Sequence, residues 1–368
     1  MKILDIDKDV LLKPLQAVSG IVERRHTLPI LSNVLLETRG DQLKLVATDL
    51  EIQITTTAGF EKPAADHAVT VSARKLQDIL RALPEKTAVT LDALEGRLQV
   101  KAGKSKFNLQ TLPSQDFPRL AEGGSSTSSV TLSQKTFRHL LSLVQYGMAQ
   151  QDIRYYLNGL LLVAEGNQLT MVATDGHRLA YATTTLAVEV PRSEVIIPRK
   201  AVIELSKLLQ DVEQEVELQI LPNQVRFLFA GINIVSKVVD GKFPDYTRVI
   251  PVNYQKHFQI DRVVLQHALQ RASILSNEKF RGVRWVLATN SLRIICNNAE
   301  QEEAEEELVV DYTGEPLDIG FNIVYLLDVL NNIEAQQIDC AVGDANSSML
   351  VSIPGNKHFK YVVMPMRI

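Results

Sequence analysis

Residues 45–49 read LVATD and residues 171–175 read MVATD. The same offset carries FPRL at 117–120 onto FPDY at 243–246, and SARKLQDIL at 72–80 onto PRKAVIEL at 198–205. A fainter third copy follows. RGVRWVLATNSLRIICNN at 281–298 stands where NGLLLVAEGNQLTMVATD stands at 158–175, and LDIGFNIVYLLDVL at 317–330 where VIIPRKAVIELSKLL stands at 195–209. A period of about 125 residues is far longer than a solenoid unit and matches a domain. The pattern predicts three copies of one domain, over 1–123, 124–251 and 252–368.

Composition agrees with a globular chain. Of 368 residues, 45% are hydrophobic, enough for ordinary cores. Two cysteines, Cys296 and Cys340, argue against a disulfide framework and suit a reducing, cytoplasmic setting. Charges scattered through the opening MKILDIDKDV argue against a secretory leader, and no apolar run is long enough to span a membrane. The net charge is −4, so any nucleic-acid role must come from where the cations lie.

Each copy opens with a helical stripe. Leu11, Leu15, Val18 and Val22 line one face of the first, where Pro14 predicts a start or a kink. Phe137, Leu140, Leu141, Val144 and Met148 follow Ser133 in the second, and Leu265, Ala268, Leu269 and Ala272 follow Asp261 in the third. A second helix is expected at about 72–83, 198–210 and 321–333. The intervening stretches alternate like strands. They break at Arg39-Gly40-Asp41 and Glu165-Gly166-Asn167, which predicts hairpins with glycine turns. EGGSSTSS at 122–129 has the composition of a flexible linker. The fold class is therefore α+β: two helices on one side of antiparallel sheets, three times over.

The helices carry Lys13, Gln16, Arg74, Lys75, Arg138, Arg199, Lys200 and Lys207, a set that fits either a solvated face or phosphate contact without base reading. Opposite charge at opposite ends of the chain is the sharper signal. RLQVKAGKSK at 97–106 is basic, with Lys104 and Lys106. AEQEEAEEE at 299–307 is acidic, with Glu300, Glu302, Glu303 and Glu306. Two chains meeting head to tail would pair these blocks twice and close a two-fold ring of six domains. Phe107, Leu109, Ile274 and Leu275 would supply its apolar centre.

No catalytic or nucleotide motif stands out. Asp175 and His177 in ATDGHR lack the further ligands that a metal needs, and an Asp-Gly turn is the commoner reading. An enzyme using that pair would lose activity in His177→Ala while still binding partner peptides. A monomeric scaffold would sediment near 41 kDa. Trp285 and both cysteines read as core. YVVMPMRI at 361–368 is either a last edge strand or an adaptable apolar groove wall.

LLKPLQ, TLPIL, ATDLE, QDIRYYLNG, VATDGHRLA, DGKFPDY, ILSNEKFRGVR, NNAEQEEAEEE, FNIVYLLDVLN and YVVMPMR together resemble, end to end, the DNA polymerase III β-subunit family of replicative sliding clamps. The resemblance implies a head-to-tail homodimeric ring around duplex DNA, held without sequence specificity. It implies a processivity factor with no catalysis, cofactor or metal. Its partners would be a clamp loader, and polymerases and repair proteins carrying short clamp-binding peptides.

The resemblance places the partner pocket on Leu157, Thr174, Gly176, His177, Arg178, Leu179, Pro244, Arg248, Val249, Asn322, Tyr325, Ser348, Val362, Val363, Met364, Pro365, Met366 and Arg367. It places DNA contacts on Arg25, Gln151, Tyr155, Tyr156, Arg199 and Lys200. It sets Lys75 and the acidic segment at the subunit contact. Two positions depart from the family pattern: Arg24 stands beside Arg25, and Ile368 stands where leucine is usual.

Overall fold

The computed structural model describes residues 1–23, 28–121, 124 and 128–367, with backbone only at 61–64. Arg24, Arg25, Ile368 and most of the expected linker lie outside the described residues. Copy one forms β1 (Lys2–Asp7), α1 (Lys8–Ser19), β2 (Asn33–Thr48), β3 (Ile52–Ser72), α2 (Ala73–Ala82), β4 (Ala88–Leu94), β5 (Arg97–Ala102) and β6 (Ser105–Gln110). Copy two repeats the order with β7 (Ser128–Ser133), α3 (Gln134–Val144), β8 (Gly159–Thr174), β9 (Arg178–Pro198), α4 (Arg199–Leu208), β10 (Glu215–Ile220), β11 (Gln224–Phe229) and β12 (Ile232–Lys237). Copy three forms β13 (Lys256–Asp261), α5 (Arg262–Ser273), β14 (Gly282–Ala288), β15 (Ser291–Asn297), β16 (Glu303–Val309), β17 (Leu317–Asn322), α6 (Ile323–Asn332), β18 (Gln337–Val342), β19 (Met349–Ile353) and β20 (Asn356–Val363).

The helix starts follow their caps. Asp7 accepts from Asp9 N, Ser133 Oγ from Thr136 N, and Asp261 from Val263 N and Val264 N. Pro14 neither begins nor breaks α1, which starts at Lys8. Leu11, Leu15 and Val18 are fully buried, and their packing outweighs the one hydrogen bond that proline removes. Met148 lies beyond α3, which ends at Val144, although it is still buried. Ser128 and Ser129, expected in the linker, already pair with Ile220 and Gln219 in the sheet.

At Gly40 and Gly166, where turns are expected, each glycine takes a positive φ (+58° and +55°) and the chain folds back: Leu35 and Val46, and Leu161 and Val172, eleven positions apart, share buried clusters. The ranges of β2 and β8 thus each cover two arms, whose ladders with β3 and β9 shift register at the turn. Further hairpin turns stand at 49–51 and 175–177. Copy three turns at the corresponding point, around Asn290 (φ +58°), where β14 and β15 are separate paired strands.

The described residues form two compact units, Met1–Phe137 with Ile203–Val238, and Arg138–Val202 with Val239–Ile368. Unit one holds sheets β1-β4-β5-β6 and β2-β3-β12-β11-β10-β7. Unit two holds β13-β18-β19-β20-β9-β8 and β16-β15-β14-β17. Every pairing is antiparallel. The long sheets cross the repeat: β12 of copy two pairs with the start of β3 of copy one, and β20 of copy three with the start of β9 of copy two. That is why copy two divides between the units. In unit one, α1 packs on α2 and the β2–β3 ladder; in unit two, α5 packs on α6. Trp285 is core, 5.5 Å edge-on to Phe321, and Cys296 and Cys340 are buried in strands.

Candidate binding surfaces

The turn 174–178 is built by its own side chains. Asp175 Oδ1 accepts from His177 N (2.9 Å) and Arg178 N (3.0 Å), and Oδ2 accepts from Arg178 Nε (3.1 Å). Thr174 Oγ1 donates to Arg178 O and accepts from Gly176 N (3.1 Å). Gly176 has φ +89°, which favours glycine, and a Cβ there would meet the Arg154 guanidinium at 2.9 Å, so that side chain would have to shift. A carboxylate committed to three donors of its own turn holds that turn's shape.

Arg178 anchors the turn to α6. Its guanidinium pairs with Asp175 and Asp328 and lies 4.3 Å from the Tyr325 ring centroid and 5.9 Å from that of Tyr146. Burial opposes its charge, but Tyr361, Asp328 and Asp175 outweigh burial and raise its pKa, so Arg178 stays cationic. Tyr361 donates to Tyr325 O (2.9 Å), which fixes the ring under the arginine.

Beside this turn lies an apolar floor. Leu157, Leu179 and Val362 belong to one buried cluster with Ala149, Leu161, Val163, Val172, Ile196 and Phe243, margined by Tyr156, Tyr181, Tyr246 and Leu350. Val362 pairs across the ladder with Leu179. Beyond β20 the chain is pinned twice, by Met364 N to His177 O (2.8 Å) and Met366 N to Gly320 O (2.9 Å). His177, Gly176, Pro244, Arg248, Val249, Met364 and Arg367 are exposed; Asn322, Tyr325, Ser348, Pro365 and Met366 are half-buried. Asn322 also caps α6 through Val324 N, and Arg248 pairs with Asp245 at 3.0 Å. Val363 is fully buried between β19 and β9, as Leu157, Leu179 and Val362 nearly are, so the accessible rim of this region is His177, Tyr325 and Met364.

Gln151 (φ +57°) and Tyr155 (57% exposed) project from the loop before β8, with Tyr156 edge-on to Tyr155 at 5.9 Å. Arg154 clasps Asp152 through two hydrogen bonds and also donates to Asp175 O (3.1 Å). That clasp holds the Asp152 carboxyl down at about 2. Arg199 opens α4 and donates to Met148 O (3.2 Å). It shares a recess of about 350 Å³ with Tyr146, Gln150, His177, Arg178 and Tyr325. Lys200 is half-buried on the next position of α4. In unit one, Lys13 and Gln16 of α1 and Lys207 of α4 line a recess of about 750 Å³. Sequence reading missed Arg154, Tyr146 and Asp328. Arg154 carried a signal, lying within the QDIRYYLNG match. Asp328 carried none.

The charged blocks become edge strands. β6 ends the sheet β1-β4-β5-β6, and β16 ends β16-β15-β14-β17. Lys75, Lys104 and Lys106 are exposed; Phe107 is half-buried; Ile274 is 78% exposed and Leu275 half-buried. One expected contact needs correction, and a second has a partner within the chain. Leu109 is buried in its own sheet (9% exposed) and so belongs to the core. Glu306 is not a free acid: Arg271 grips both its oxygens at 2.7 and 2.6 Å, and this arginine holds its carboxyl below the usual range. Glu302 accepts from Asn298 Nδ2, while Glu300 and Glu303 stay exposed. Among the described residues no group of acids, histidines and cysteines could hold a metal, and no helix is long and apolar enough to cross a membrane.

Three family models match the chain in order: the N-terminal domain of the DNA polymerase III beta subunit over 1–121, its central domain over 131–245 and its C-terminal domain over 247–367. The beta sliding clamp of Pseudomonas putida KT2440 is 48% identical over 364 residues, and that of Escherichia coli K12 44% identical over 363, each covering 99% of both chains. The crystal structure of the DNA polymerase III subunit beta from Pseudomonas aeruginosa superposes with a TM-score of 0.96 at 47% identity, covering all of both chains. A Caulobacter crescentus beta sliding clamp with polyethylene glycol in its putative beta-motif tethering region has a TM-score of 0.94 at 38% identity, over 100% of this chain and 99% of that one.

Proposed function

Because the chain belongs to the DNA polymerase III beta-subunit family and is a DNA sliding clamp, we propose that two copies close head to tail by joining β6 of each to β16 of the other. One observation carries this. At both joints within the chain, the last strand of one copy lies on the start of the second long arm of the copy before it. β6 is copy one's last strand and β16 is copy three's corresponding arm, and each ends its sheet. The joint that remains to be made is therefore β6 with β16, between chains. An edge strand left open would invite unwanted pairing, and this closure uses it. Lys104 and Lys106 facing Glu300 and Glu303 would select the register, while Phe107, Ile274 and Leu275 would supply apolar contact.

The closed collar holds duplex DNA by topology. The loop Gln151–Tyr156 and the start of α4 at Arg199 and Lys200 touch phosphates without reading bases. Each such contact adds about 0.9 to the salt slope of binding. The apolar floor of Leu157, Leu179 and Val362, rimmed by His177, Tyr325 and Met364, receives the apolar side chains of short peptides from the clamp loader, polymerases and repair proteins. The protein works in the cytoplasm, as three copies bounded near 123 and 251, and catalyses nothing itself.

The test is loading onto nicked circular DNA followed by linearisation. The clamp should be retained on the circle and lost from the open ends. Retention on the linear molecule would refute the topological reading.

A further inference from the structure

The offset that carries Asp175 onto Asp49 carries the frame of the groove onto unit one. In the turn 48–52, Asp49 Oδ1 accepts from Glu51 N (2.9 Å) and Ile52 N (2.8 Å). Thr48 Oγ1 donates to Ile52 O (2.8 Å) and accepts from Leu50 N (3.1 Å). These are the bonds of the turn 174–178. Leu50 even keeps the left-handed backbone of Gly176, at φ +78°. Lys237 N donates to Glu51 O (2.9 Å), as Met364 N does to His177 O. Val235 pairs with Gln53 as Val362 pairs with Leu179. Leu35, Val46 and Phe117 form one buried cluster beneath, with Ile30 packed against it. By the same offset they stand for Leu161, Val172, Phe243 and Tyr156 of the groove floor.

Unit one differs at three floor positions. Gln53, Thr70 and Glu37 stand where unit two has Leu179, Ile196 and Val163. All three hold the segment 112–120. Gln53 Oε1 accepts from Leu120 N (2.9 Å), and Glu37 accepts from Arg119 Nη2 (2.6 Å). Thr70 Oγ1 donates to Leu112 O (2.8 Å) and accepts from Leu112 N (3.0 Å). Gln53 and Thr70 are buried, which shields their bonds from water. Leucine, isoleucine and valine side chains can form none of these bonds. The rim differs as well. Ile52 replaces Arg178, and Lys237 pairs with Glu51 at 3.2 Å where Met364 and His177 stand exposed. Turn and pinned segment occur in both units, so they do not by themselves select a peptide. We propose that unit one holds a second, latent seat for peptides of the class that the groove takes, latched shut by Gln53, Thr70 and Glu37 on the segment 112–120. This rests on the groove being the seat of partner peptides. The latch leaves each chain one open seat, for which partners compete.

The test counts bound equivalents of a fluorescent peptide, the cognate polymerase's clamp-binding segment, on the full-length clamp by equilibrium dialysis. The intact protein should bind one per chain, and the protein lacking 364–368 none. Gln53→Leu with Glu37→Val gives unit one the residues that the same frame carries in unit two. This variant should bind a second equivalent, roughly 10–100-fold more weakly than the first, because Ile52 cannot supply the charge of Arg178. Adding the 364–368 deletion to it should leave only the weak seat. In Gln53→Leu alone the Leu120 amide should exchange with solvent at least about 10-fold faster, since its acceptor is gone. A double variant that keeps the dimer mass and the melting temperature yet binds one equivalent overturns the proposal. So does unchanged exchange at Leu120, which decides the matter if the double variant fails to fold. Two equivalents on the intact protein would mean an open seat, and the latch fails. These outcomes leave the groove untouched. One equivalent that survives the 364–368 deletion refutes the groove reading itself, and the latent seat falls with it.

Discussion

Deleting residues 364–368 should abolish peptide binding and spare the dimer. The removed segment makes two backbone hydrogen bonds, to His177 O and Gly320 O, worth together about 2 kcal/mol. Met364 is 46% exposed, and Pro365 and Met366 are half-buried, so the apolar burial lost adds about 1 kcal/mol. The residues before the cut hold themselves: Tyr361, Val362 and Val363 are almost wholly buried in β20. Unit two should therefore stay folded, melting roughly 5–10 °C lower. The peptide loses a whole wall, and truncating several contacts at the centre of an interface costs at least about 3 kcal/mol, so affinity should fall 100-fold or more. Fluorescence polarisation with a labelled polymerase peptide reads the affinity. Light scattering after gel filtration should still give twice the 41.0 kDa chain mass. A truncated clamp that elutes as monomer, or that binds peptide as the intact one does, refutes the reasoning.

Asp328→Asn leaves Arg178 half-paired beneath Tyr325. The peptide Kd should rise about 5–20-fold, and a cycle with Arg178→Ala should show strong non-additivity, since both changes break one cluster. Charge reversal Lys106→Glu should raise the dimer dissociation constant several-fold, with partial recovery on adding Glu303→Lys; sedimentation at micromolar concentrations tests this. The Asp152 carboxyl, held at about 2 by its hydrogen bonds with Arg154, stays ionised well below the unfolded carboxylate value. A depressed pKa stabilises above the unfolded value and loses that help as pH falls through the folded one. An NMR titration should show the Asp152–Arg154 clasp intact at pH 4 and opening only near pH 2; opening near pH 4 would contradict the geometry. Cys296, pushed up to about 11 by burial, should resist a thiol reagent at pH 8 until the protein unfolds.

Range decides which of these features could be read in advance. Caps, most of each helical stripe and the Asp175 turn depend on residues within four or five positions and were legible, although Val22 and Met148 lie past the ends of α1 and α3. Gly40 and Gly166 were legible as turns because a positive φ costs glycine little. Leu109 was assigned to a surface by pattern and Val363 by resemblance. Their burial depends on the sheet β1-β4-β5-β6 and on β19, and the pairing of Glu306 on Arg271, none of which the local pattern reveals.

By itself the chain of residues determined the threefold repeat, the α+β class, the family and the opposite charges of its two ends, because periodicity and motif are local or self-similar properties. Only the folded molecule decided how the copies join. Strand edges choose their neighbours by register and burial across hundreds of positions, as when β20 meets β9 and Arg178 meets Asp328. Those long-range choices place His177 beside Met364, leave β6 and β16 at the ends of their sheets, and so make the surfaces by which a clamp can work.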